Sequence, residues 1–188
     1  RAAARSRRAV WRPAAVRSRT LHSASARPLI ERQRHNLRLP DPPPDIDVEL
    51  RPWLQKRGHR FRTRSDTEVI LAAYAEFGPE CVHHLNGQWA FAIWDQLERT
   101  LFLSRDRLGI RPLVYTVTDE AFVFASEVKA LLECESIRAE LDPVALHEYL
   151  AFLWVPGPET MFRSIRKLMP GHVLEWRPGD EVSVRRFW

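Results

Sequence analysis

The 188-residue chain is long enough for one domain with a single buried core. No apolar run approaches the roughly 20 residues that cross a membrane, and the two cysteines, Cys81 and Cys134, make neither a disulfide framework nor a C-x-x-C motif, so a reducing, cytoplasmic setting is expected. The net charge of +5 invites a nucleic-acid reading, but residues 1–40 hold eleven Arg against the single acid Glu31, while the other 148 residues hold 18 basic and 23 acidic ones, so the folded part is mildly acidic and nucleic acid is not expected as a partner.

Residues 1–47 are rich in Arg, Ala, Ser and Pro and close on the run PDPPPD at 40–45. Neither the strand period of 2 nor the helix period of 3.6 persists there. Three readings stay open: a disordered basic tail, a transit peptide, or an out-of-frame translation. From Val48 the texture becomes that of a folded domain, so the chain divides into 1–47 and 48–188.

Helix is predicted over 49–57, with Leu50, Trp53 and Leu54 on one face and Gly58 as its stop. Ser65-Asp66-Thr67-Glu68 has the form of a capping box and opens a helix to about Phe77, which Gly78-Pro79 ends. A short helix over 80–85 leads to the Asn86-Gly87 turn. Strands follow at 88–95, 101–105, 112–117 and 121–125, the first apolar enough for burial on both faces, with Trp89, Phe91 and Trp94 as core residues. Ser126 is placed to cap a helix to about Leu132. Asp142-Pro143 starts another to about Phe152. Arg177-Pro178-Gly179-Asp180 turns a final hairpin between 172–176 and 181–187. The expected class is α+β with mainly antiparallel sheets.

Five segments then carry a resemblance: GHRFRTRSDTEVILAAYAEFG (58–78), LNGQWAFAIWD (85–95), LFLSRDRLGIRPLVY (101–115), FASEVKALL (124–132) and, within 141–176, LDPVALHEYLAF and VPGPETMFRSIRKLMPGHVLEW. In this order and spacing they resemble the N-terminal glutaminase domain of asparagine synthases. The resemblance implies an αββα sandwich of the N-terminal-nucleophile hydrolase type, with the N-terminal strands expected to be missing. It also implies a reaction. Glutamine is hydrolysed to glutamate and ammonia, and the ammonia passes to a C-terminal synthetase domain, where ATP and Mg serve the amidation of aspartate. A homodimer is compatible with it.

Asp66 matches the family carboxylate that binds the glutamine α-ammonium, a charge-assisted hydrogen bond. Read from the residues alone, Asp66 only favours a helix N-terminus. Arg105, Asp106, Arg107 and Gly109 form the densest polar cluster. They suggest either an Arg105–Asp106 ion pair at a sheet end, with Gly109 at positive φ, or a group near the floor of the site and the synthetase interface. None of the four is expected to be catalytic.

The chemistry of such a site also needs an N-terminal Cys nucleophile and an oxyanion hole. Position 1 is Arg1, and 41–46 reads DPPPDI where the family has N-G-E-I-Y-N, with prolines that have no N–H to donate. Cys81 and Cys134 read as packing residues, and His83 and His84 as surface residues without metal-ligand spacing or an acidic partner. No S-G-G-x-D-S pyrophosphate loop occurs. The expectation is a fragment of an asparagine synthase, inactive alone, with no catalytic residue and no metal site of its own. The alternatives are a non-catalytic glutaminase-like binding module with a basic tail, and an amidotransferase acting on a different acceptor.

Overall fold

The computed structural model describes residues 35–38, 47–119 and 121–188, with backbone alone at 35–38 and 47–49. The chain divides into two compact units, a larger one ending at Leu113 and resuming over Leu168–Trp188, and a smaller one over Val114–Lys167.

The larger unit is built on a five-stranded sheet. Its strands are β1 (His35–Arg38), β2 (Ala90–Asp95), β3 (Thr100–Arg105), β7 (His172–Trp176) and β8 (Ser183–Arg186), in that spatial order and antiparallel throughout. Register puts Phe91, Ile93, Phe102 and Val173 on one face. Against that face lie α1 (Asp47–Lys56), α2 (Asp66–Phe77) and the 3-10 helix Gly78–His84. Leu54, Val69, Ile70, Ala73, Cys81, Val82 and Leu85 complete this core, each 1% exposed or less. Ala92, Leu103 and Leu174 on the opposite face are buried too, so the sheet is covered on both sides as the apolar run 88–95 predicts. Trp94 is half-buried, less deeply set than expected.

The smaller unit holds a three-stranded sheet in the order β5 (Phe122–Ala125), β4 (Val114–Val117), β6 (Arg166–Lys167), again antiparallel. Its core joins Val114, Leu131 of α3 (Val128–Leu132), Ile137 and Ile165. A further helix, α4 (Pro143–Phe152), starts where the sequence predicts. The Asp142 side chain accepts from Val144 N at 2.9 Å, and Pro143 takes the first turn, where no N–H is needed.

The α+β class with antiparallel sheets is borne out. Three local expectations change. Strand β1 was not predicted, because HNLR carries one apolar side chain and shows no alternation. The strand after Pro112 begins only at Val114. Helix α3 opens one residue late, with Glu127 at its N-cap in place of Ser126 and no side-chain cap.

Candidate functional site

Asp66 occupies the first helical position of α2 and is 4% exposed. Ser65 caps the helix, its Oγ accepting from Thr67 N at 3.2 Å. The other half of the predicted capping box does not close. Glu68 accepts instead from Arg62 N, Thr63 N and the Thr63 hydroxyl, and so ties down the loop that delivers Asp66. Thr63 Oγ1 in turn accepts from Ser65 N at 3.1 Å. Arg51 of α1 reaches across, donating to Thr63 O at 2.8 Å and Ser65 O at 3.1 Å while lying over the Phe61 ring. The N-terminus of α2 is therefore fixed from two sides around a buried carboxylate, with the helix dipole favouring negative charge there.

The second candidate group lies where β3 ends. Arg105 donates to three carbonyl oxygens: Arg111 O at 2.8 Å, Leu168 O at 2.7 Å and Gly109 O at 2.7 Å. Burial lowers the pKa of its guanidinium, with the charge of Asp106 acting the other way. The Asp106 carboxylate, 1% exposed, accepts from the backbone N–H of Trp89, Leu108, Ile110 and Arg111. Its own carbonyl accepts from Gly109 N and Gly171 N. The Arg105–Asp106 ion pair read from the sequence is thus replaced by two backbone clamps. Successive strand residues point to opposite faces, which separates the two side chains.

Gly109 has φ +66, as its place in the turn predicts, and a Cβ there would lie 2.5 Å from Pro170 Cγ and 3.1 Å from the Arg105 guanidinium carbon. Arg107 is half-buried, and its Nε is enclosed without a hydrogen-bond partner.

Comparison with known proteins decides the family. The glutamine amidotransferase domain family matches residues 47–188. The chain belongs to that family. Among curated relatives, the amidotransferase domain is 41% identical over 141 residues to asparagine synthetase [glutamine-hydrolyzing] 3 of Bacillus subtilis, covering 74% of this chain and 23% of that protein. It is 37% identical over 141 residues to asparagine synthetase [glutamine-hydrolyzing] 1 of the same organism, covering 75% of this chain and 22% of that protein. The chain spans about a quarter of the length of these relatives. Among solved structures, the glutamine phosphoribosylpyrophosphate amidotransferase from B. subtilis complexed with ADP and GMP matches with a TM-score of 0.52 at 22% identity, over 82% of this chain and 28% of that one. That likeness bears out the amidotransferase type of fold.

Within the amidotransferase domain, Cys81 is fully buried and its thiol is pushed up to about 12, first by burial and then by the Glu80 charge. It stays protonated at neutral pH, the less reactive form of a thiol. Cys134 is half-buried beside the smaller core. His83 has an acidic partner after all, Glu80 Oε2 at 3.1 Å, and His84 stacks on Phe77. Among the described residues no group of three or more His, Cys, Asp or Glu is placed to hold a metal ion, and no helix is long and apolar enough to cross a membrane. Position 1 and the DPPPDI run at 41–46 lie outside the described residues.

Sequence reasoning missed two partners. Arg51 lies 12 and 14 residues from its acceptors Thr63 and Ser65, a separation that carries no local signal. Nothing in the LMPG stretch at 168–171 announces that Leu168, Pro170 and Gly171 close on the turn after Arg105.

Proposed function

We propose that this amidotransferase domain is the glutamine-hydrolysing part of an asparagine-synthase-type enzyme, and that Asp66 holds the α-ammonium of glutamine. The observation that carries the reading is a buried carboxylate at the first position of α2, anchored by Ser65, Glu68 and Arg51, inside the SDTEV segment. A buried carboxylate binds an ammonium strongly, because little solvent competes for either charge. Ammonia released from glutamine then passes to a synthetase domain, where ATP with Mg activates aspartate for amidation to asparagine. The Arg105–Gly109 turn takes no part in the chemistry; it fixes the end of β3 and the start of β2. The setting is cytoplasmic. The names of the curated relatives support the reading.

The test is a calorimetric titration of the full chain with glutamine and with its analogue lacking the α-amine, 4-carbamoylbutanoate. Glutamine is expected to bind more tightly than the analogue, and Asp66→Asn is expected to remove the difference. Equal affinities in the unmutated chain would overturn the assignment of Asp66.

A further inference from the structure

Glu68 is the third residue of α2, and in a capping box it would accept from the N–H of the N-cap residue Ser65. It reaches past that group. Its Oε2 accepts from Thr63 N at 2.8 Å, from the Thr63 hydroxyl at 3.0 Å and from Arg62 N at 3.0 Å. The Ser65 N–H goes instead to Thr63 Oγ1 at 3.1 Å. The Thr63 hydroxyl is thus inserted into the box as a relay, taking a hydrogen bond from Ser65 and giving one to Glu68.

Closing a helix terminus needs only the orphan groups of its own first turn to be met. The relay also fixes the loop before the helix, and the residue it bears on is Ser65. The Ser65 N–H is held by Thr63, and its hydroxyl accepts from Thr67 N at 3.2 Å. Its carbonyl accepts from Arg51 at 3.1 Å and from Glu68 N at 3.2 Å. Every polar atom of Ser65 is engaged, which holds its backbone at φ −77 and ψ 137. Asp66 follows directly. As the first helical residue its N–H has no intrahelical partner, so what holds Ser65 also keeps the first turn from fraying and the buried carboxylate in one place. Glu68 does not compete for a cation through Oε2, because three donors already occupy that oxygen.

We propose that Glu68 and Thr63 are positioning residues for glutamine, which aim the Asp66 carboxylate at the α-ammonium through Ser65 without touching the ligand. This rests on the function proposed above.

The test measures the affinity of the full chain for glutamine and for 4-carbamoylbutanoate and reads their ratio. Thr63→Val keeps the shape of the side chain and removes the hydroxyl, and Glu68→Ala removes the acceptor. Each is expected to cut the preference for glutamine from roughly 10-fold to roughly 2-fold, with the affinity for 4-carbamoylbutanoate changed by less than about 2-fold, because only the ammonium site loses pre-organisation. Thr63→Ser restores the hydroxyl and is expected to keep the full preference. The double variant Thr63→Val with Glu68→Ala is expected to be no worse than either alone, since both break one relay. Urea unfolding establishes that each chain is folded under the conditions of the titration. A purely structural role would lower both affinities together, and that result overturns the proposal. So does a full preference in Thr63→Val, or an equal fall in Thr63→Ser. Asp66→Asn reports separately on the underlying function. A preference that survives in Asp66→Asn, or none in the unmutated chain, strikes that reading and the relay with it. A preference lost in Asp66→Asn but intact in Thr63→Val and Glu68→Ala strikes the relay alone.

Discussion

Arg105 donates to the carbonyl of Gly109 at 2.7 Å, and a Cβ on residue 109 would lie 3.1 Å from the same guanidinium. The arginine therefore needs residue 109 both as an acceptor and as a residue without a side chain. Pro170 closes the opposite side, 2.5 Å from that Cβ position. The turn after β3 is a packed structural joint.

Gly109→Ala combines left-handed backbone strain with overpacking and is expected to cost about 3 kcal/mol or more. Gly58→Ala is the control. Its φ is +93 but nothing lies within 4 Å of the added Cβ, so strain alone applies, about 1–2 kcal/mol. Urea unfolding of both variants measures the difference. Equal losses would show that Pro170 and Arg105 yield freely.

Asp106→Asn keeps the shape but removes the charge and replaces one acceptor oxygen with an NH₂ facing backbone N–H groups. Four donors depend on that carboxylate. The expected loss is about 3 kcal/mol, because a buried donor left without an acceptor costs about 1–3 kcal/mol. Hydrogen exchange should show Leu108, Ile110 and Arg111 amides losing protection first. A loss below about 0.5 kcal/mol, the size of an ordinary surface substitution, would contradict the clamp.

Much of this architecture is legible in the residues. The apolar run 90–93 reads directly as a strand buried on both faces, and Asp142-Pro143 as a helix start, because period and capping are local properties. Gly109 is legible for the same reason: the turn needs positive φ. The roles of Arg105 and Asp106 are not legible. Their partners, at Trp89, Leu168 and Gly171, are set by the pairing of β2, β3 and β7, which no neighbouring residue encodes. The Glu80–His83 pair was missed for a different reason. Those residues sit on a 3-10 helix, whose three-residue turn brings i and i+3 over each other. Asp66 reads from the residues as a helix-terminus acid, and only the resemblance gave it a ligand.

Arg51→Gln should weaken glutamine binding without touching the ligand. It removes two bonds to the 63–65 loop, at Thr63 O and Ser65 O. The expected effect is a fall in affinity of about 5-fold, since loosening a positioning residue loses part of the pre-organisation it supplies. Stability should change by about 1 kcal/mol or less, because the bonds are largely exposed. Calorimetric titration with glutamine checks the first figure and urea unfolding the second. Unchanged affinity would remove Arg51 from the site.

Stability should fall at high pH. The Cys81 thiol moves from 9.0 to about 12 on folding, so the folded chain keeps a proton that the unfolded chain loses. This contribution is complete below pH 9 and is lost as pH rises from 9 toward 12. Burial raises the Tyr74 hydroxyl as well, which extends the fall to higher pH. Cys81→Ala should flatten the part between pH 9 and 12 in unfolding curves taken across that range. An unchanged slope would mean the thiol is not desolvated. Native Cys81 should also resist alkylation at neutral pH and react once the chain is unfolded.

The most direct measurement compares glutamine with 4-carbamoylbutanoate on the unmutated chain and on Asp66→Asn, since the two ligands differ only in the α-amine. The account predicts that the unmutated chain prefers glutamine by roughly 10-fold or more, the size of a charge-assisted hydrogen bond, and that Asp66→Asn binds both ligands alike. A preference that survives in Asp66→Asn would contradict it, because the α-ammonium would then be held elsewhere.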